Sequence, residues 1–189
     1  MIKNLLFTLS LFSCLKIFSQ ETKKQKMDFY FNPSLNVGFN VIKEKETPNN
    51  TQYIESKAPN KITYGITAIG GYNFLPNFAI GSGFRYSFIE ENYHLVYFVI
   101  QPKFIFAPGD RPMYIELNYG KQLNHAAVSD SEFWGGRLGI QVSYSKRLSQ
   151  EGGIVLEGHR LGNRNPFFIG LSYGITIFSN KNYTAYGED

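Results

Sequence analysis

The tightest constraint on what this chain can fold into is a period of two. Between Pro166 and Phe178 the odd positions read Phe167, Ile169, Leu171, Tyr173, Ile175 and Ile177, and the even positions between them are mostly Gly170, Ser172, Gly174 and Thr176. Successive side chains of an extended chain point to opposite faces, so this is a strand with one apolar face and one small, polar face. The same alternation returns along most of the chain, and no stretch after the N-terminal segment sustains a period near 3.6 residues. The fold class is therefore all-β.

The first nineteen residues behave differently. Lys3 supplies a basic start, Leu5 to Leu15 is a short apolar stretch, and Ser19 places a small residue before the polar Gln20. That is the pattern of a cleaved secretory signal, residues 1–19, and it is too short for a spanning helix, which needs about 20 apolar residues. A competing reading takes Leu11-Phe12-Ser13-Cys14 as a lipoprotein box with Cys14 acylated, although Phe12 is bulky where a small residue is usual. Cleavage after Ser19 leaves no cysteine and hence no disulfide.

Removing Lys3 and Lys16 from the 19 basic residues leaves 17 against 15 acidic ones, so the formal charge falls from +4 to +2. No stretch interleaves clustered Lys and Arg with aromatics, which argues against nucleic acid as a partner. Residues 20–27, with Lys23, Lys24 and Lys26, read as a solvated periplasmic leader. With 13 Tyr and 17 Phe, the chain has the aromatic content that a membrane-embedded barrel places on its wall and at its two boundaries.

Eight strands can be read between residues 28 and 178: Asp28 to Ile42, Lys61 to Phe74, Phe78 to Glu90, Leu95 to Phe106, Met113 to Leu123, Trp134 to Arg147, Gly152 to Leu161, and Pro166 to Phe178. In the first, Phe29, Phe31, Leu35, Val37, Phe39 and Val41 oppose Asp28, Tyr30, Asn32, Ser34, Asn36, Gly38 and Asn40. Pro33 and Pro102 lack an amide hydrogen, which predicts a bulge or local break at Pro33 and a bulge at Pro102. For an exported chain of this pattern the expected architecture is an eight-stranded antiparallel up-and-down transmembrane β-barrel.

An even strand number puts both ends on one side of the membrane, the periplasm. Leu75 to Asn77, Ala107 to Pro112 and Leu148 to Glu151 then become periplasmic turns, and Lys43 to Asn60, Glu91 to His94, Asn124 to Phe133 and Gly162 to Asn165 become outward loops. Residues 179–189 form a polar C-terminal tail. A barrel this narrow is filled by its own side chains, so a general diffusion pore is not expected.

The inward phase collects Arg85, Lys103, Glu116, Arg137, Gln141, Glu157 and His159 into a candidate polar network in the lumen. Lys103 and Glu116 flank one predicted hairpin at similar distances and face each other as a cross-strand pair. Trp134, Tyr64, Tyr72, Tyr86 and Tyr144 are candidates for aromatic girdles. His94 and His125 lie in predicted loops with no second ligand at metal spacing, and the paired glycines lack the Lys and Ser/Thr of a phosphate loop, so no metal or cofactor is implied.

The pattern as a whole resembles the outer-membrane β-barrel domain family of Gram-negative bacteria, the porin-like small barrels. The matching segments are Tyr72-Asn73-Phe74-Leu75-Pro76-Asn77-Phe78, Pro102-Lys103-Phe104-Ile105-Phe106 followed by Met113-Tyr114-Ile115-Glu116, Gly135-Gly136-Arg137-Leu138-Gly139-Ile140, and Ile169-Gly170-Leu171-Ser172-Tyr173-Gly174. The resemblance implies an outer-membrane location, contact with outer-membrane lipids and lipopolysaccharide, and insertion by the outer-membrane assembly machinery. It brings no catalytic residues. Such barrels commonly end on an aromatic, whereas here Phe178 is out of phase with the outward series and the tail continues past it.

The leading expectation is a non-enzymatic structural or surface-interaction barrel, whose loop Lys43 to Asn60 is the place for an envelope or surface protein partner. An alternative is a lipid A-modifying esterase, suggested by Glu157 and His159 on one strand face. The position two beyond His159, where such deacylases carry their serine, is Leu161. A third reading is a soluble periplasmic lipocalin-like binder, which needs the apolar faces turned inward.

Overall fold

A computed structural model describes residues 28–41, 62–75, 77–89, 93–107, 111–126, 128–145, 147–162 and 165–179. The predicted signal, the leader, the loop Lys43 to Asn60 and the tail beyond Ser179 lie outside the described residues. The strands are β1 (Phe29–Asn40), β2 (Ile62–Leu75), β3 (Phe78–Ile89), β4 (Tyr93–Ala107), β5 (Met113–Gln122), β6 (Glu132–Ser145), β7 (Leu148–Arg160) and β8 (Phe167–Phe178). Each pairs antiparallel with its sequence neighbours, and β8 returns to β1 to close the barrel. Closure leaves no free sheet edge, the condition for a sheet to stand in lipid.

One end of the barrel carries the first and last described residues, Asp28 and Ser179, and the β2–β3, β4–β5 and β6–β7 connections, and we call it the terminus side. The other is the loop side. The three register shifts, at Asn73/Leu75, Ile105/Ala107 and Ser143/Ser145, all fall where strands enter the terminus-side turns. Bulges there tighten the twist of strands turning into short hairpins.

The predicted turn Leu148 to Glu151 is a correction. The β6–β7 hairpin closes earlier, with Ser145 paired to Leu148, so β7 starts four residues before the predicted Gly152 and includes Glu151. Gly152-Gly153 looked like a strand boundary but lies within the strand. A Cβ on Gly153 would sit 2.4 Å from the Leu138 carbonyl oxygen, so close backbone approach requires the glycine. The loop-side strands also begin earlier than predicted: His94 belongs to β4, and Glu132 and Phe133 to β6.

Neither proline makes a bulge. The β1–β8 register is the same before and after Pro33, but pairing stops at Phe31↔Ile177 and resumes at Ser34↔Gly174. Likewise β4–β5 pairing stops at Ile100↔Tyr119 and resumes in the same register at Lys103↔Glu116, across Pro102. Both are breaks, which corrects the bulge expected at Pro102. On their other sides the ladders run through, as Pro33↔Ala68 and Ile80↔Pro102. Ladder bonds alternate between neighbours along a strand, so each proline deprives only one seam of a donor.

The faces are inverted relative to a soluble barrel. Phe29, Leu35, Phe84, Leu171 and Tyr173 are among a band of large apolar residues exposed on the outer wall, Leu171 at 69%. The lipocalin-like reading required these faces to turn inward, and they do not. Tyr64, Tyr86 and Trp134 lie on the outward phase toward the loop side, Tyr72 and Tyr144 toward the terminus side.

Candidate functional site

The polar interior is built from the inward phase of every strand. Lys103 on β4 stands directly opposite Glu116 on β5, which stands directly opposite Arg137 on β6. Arg137 grips Glu116 side-on, Nε donating to Oε2 and Nη2 to Oε1, both at 2.7 Å. Lys103 Nζ lies 3.4 Å from Glu116. The fourth member is Glu151 on β7, which takes Lys103 Nζ at 2.6 Å and Arg137 Nη2 at 3.0 Å. These residues form a closed ring of two cations and two carboxylates, with the Lys103–Glu151 link crossing the lumen.

A second pair lies toward the loop side. Arg85 on β3 reaches Glu157 on β7 at 2.7 Å, and Asn36 on β1 donates to the other carboxylate oxygen at 3.1 Å. Arg85 also bonds Ser87 and Thr67, at 2.8 and 3.3 Å. Thr176 on β8 donates to Glu151 at 2.6 Å, and Asn32 on β1 donates to Thr176 at 2.6 Å. Side chains from all eight strands thus enter the network. Buried ions are costly unless each is paired and its remaining hydrogen-bonding capacity is met, and these three cations and three carboxylates balance.

Aromatic rings and glycines make this packing possible. Lys103 Nζ lies 3.9 Å and Arg137 Cζ 5.3 Å from the centre of the Tyr114 ring, and Arg85 Cζ lies 4.4 Å from that of Phe133. The Tyr114 ring occupies the space above Gly139, where a Cβ would meet it at 2.4 Å. Arg85 crosses Gly65 in the same way, at 2.2 Å. Two lumen cavities, one lined in part by Asn36, Gln101 and Glu157 and the other by Tyr30, Asn73, Gln141 and Phe178, measure about 10 Å³ each, room for about one water.

The predicted residues are therefore distributed over two clusters and a cap. Lys103, Glu116 and Arg137 meet in the ring, and Arg85 meets Glu157. Gln141 is buried as the cross-strand neighbour of Glu151, with no partner for Nε2 among the described residues. His159 joins neither cluster. It lies in an aromatic cap with Phe133 and Phe168, its Nδ1 3.0 Å from the Tyr97 hydroxyl.

Glu157 and His159 both face the lumen, Glu157 held by Arg85 and Asn36, so they do not form the outer-wall acid and histidine that the esterase alternative needs. Glu151 was the residue that sequence reasoning missed. Its signal was the phase of Glu157, Val155 and Gly153, which runs back onto it once the glycine pair is not taken as a boundary. Phe178 points inward and is buried, in keeping with its even position, while the Ser179 hydroxyl donates to the Asp28 carboxylate at the closing seam.

A closed eight-stranded barrel with an apolar outer wall and an interior filled by paired charges has the architecture of the small transmembrane β-barrels. No family model and no curated protein matches the sequence. Among solved structures, Neisserial surface protein A (NspA) is similar over 81% of this chain and 99% of its own, with a TM-score of 0.55 at 11% identity. The N-terminal β-barrel domain of Pseudomonas aeruginosa OprF covers 81% and 100% at TM-score 0.44 and 12% identity. Outer membrane protein H (OprH) from P. aeruginosa covers 78% and 99% at 0.45 and 16%. The chain has the fold of the small outer-membrane barrels.

Proposed function

We propose that this protein is an integral outer-membrane barrel with a structural or surface-interaction role, exported by its N-terminal signal and plugged by its own side chains. The observation that carries the reading is the inversion of the barrel: large apolar side chains cover the outer wall while three buried cations and three carboxylates close the interior. An apolar wall of this kind is at home only in lipid, and an interior braced in this way supports a scaffold better than a pore. In this reading the terminus side faces the periplasm and the loop side faces outward. Contact with lipopolysaccharide is supported by Arg160, exposed on the outward phase at the loop-side rim with Trp134 nearby. The outer-membrane assembly machinery would insert the barrel. An envelope or surface protein partner would be met through Lys43 to Asn60.

The test is outer-membrane fractionation of the full chain followed by gel migration with and without heating. The barrel should be recovered with the outer membrane and shift on boiling, and recovery in the soluble periplasm would sink the reading. Deleting residues 43–60 separates the two roles. A platform loses its surface phenotype while heat-modifiability stays, whereas a purely structural barrel loses nothing.

A further inference from the structure

The two proline breaks lie on opposite sides of the barrel. Pro33 interrupts the β1–β8 seam and Pro102 the β4–β5 seam, and in a ring of eight strands these seams face each other across the lumen. They divide the wall into β1–β4 and β5–β8. Backbone parity fixes what each break removes. Ser179 N–H donates to the Phe29 carbonyl at 2.9 Å, so the odd residues of β8 face β1 and the Ile175 carbonyl loses the donor that Pro33 cannot supply. Asn32 Nδ2 stands in for it, donating to that carbonyl at 3.3 Å. Ile105 N–H donates to Asn77 on the β3 side, so Pro102 faces β5 and leaves Leu117 in the same position. There the side chains of Gln101 and Asn118 join across the gap at 2.8 Å.

The inner faces of the two halves carry opposite charge. In the middle of the lumen β1–β4 presents Arg85 and Lys103, while β5–β8 presents Glu116, Glu151 and Glu157 with the single cation Arg137. The ion pairs Arg85–Glu157, Lys103–Glu151 and Lys103–Glu116 all cross from one half to the other, and both Arg137 pairs stay within one half. The two halves are therefore tied by one ion pair at the β4–β5 seam and by two that cross the lumen.

We propose that the barrel is built as two four-stranded leaves, β1–β4 and β5–β8, which loosen first along the two proline-interrupted seams and are held shut by the opposite charges of their inner faces. Opening is then anisotropic. The terminus end of the β1–β8 seam is further pinned by Ser179, which places the loosest point of that seam at Pro33 rather than at its terminus-side end.

Amide hydrogen exchange of the full chain, refolded in lipid nanodiscs, tests this without any variant. Amides crossing the broken seams, those of Leu35, Tyr173, Ile100 and Tyr119, should exchange about tenfold faster than the same-height amides of Ala68, Phe84, Gly136 and Leu156 in the intact β2–β3 and β6–β7 ladders. Replacing the prolines, as Pro33→Val and Pro102→Val, returns a donor to each seam and should slow its flanking amides toward the intact-ladder rate. Lys103→Met should speed exchange at both broken seams and leave β2–β3 unchanged. Uniform protection around the barrel, or a Lys103→Met variant that loosens every seam equally, would overturn the proposal.

Discussion

Three side chains, Lys103, Arg137 and Thr176, converge on the Glu151 carboxylate. Breaking a buried pair from one side strands the remaining charge, which typically costs about 3–5 kcal/mol. Glu151→Ala should destabilise the barrel by that amount in denaturant unfolding from lipid vesicles. Glu132 is the informative contrast, because its contact with Arg160 is 3.7 Å long and both side chains are partly exposed, at 34% and 65%. Exposed pairs contribute about 0–1 kcal/mol, so Glu132→Ala should fall within that range. Equal costs for the two variants would mean that the ring does not behave as a buried network.

At the scale of the strand, the period of two assigns each side chain to lipid or lumen, and β8 illustrates how strictly. Leu171 is in the middle of β8 on the outer wall, between Gly170 and Ser172, both buried in the lumen phase. Leu171→Arg places a charge in the hydrocarbon and should cost about 2–4 kcal/mol in the same unfolding measurement. A cost near zero would mean that this face meets water. The phase is legible in the sequence itself, and it places Arg85, Lys103, Glu116, Arg137, Glu157 and His159 on the inner face. Strand limits were less legible at glycine pairs, because Gly152-Gly153 carries no side chain to continue the pattern.

For the whole molecule, closure and filling act together. Side chains from opposite walls meet at 2.6 to 2.7 Å, and the two cavities found among the described lumen residues are each about the size of a water molecule. Reconstituted into planar bilayers, the protein should give no sustained open-channel conductance in its folded state. Steady conductance from a single barrel would show that the network does not plug it.

The sequence alone determined the class of wall this chain builds: eight two-faced strands, their phase, and the charges on the inner phase. Those features are local, because side-chain direction along an extended chain repeats every two residues. It did not determine which inward charges meet. A period of two gives the face but not the height, and height across the lumen depends on strand stagger and tilt around the closed barrel. Lys103 and Glu116 could be matched from their shared hairpin. Lys103 and Glu151, three strands apart, could be joined only by closure. The same holds for the prolines: each was visible as a missing donor, but only the tertiary ring put the two breaks on opposite sides.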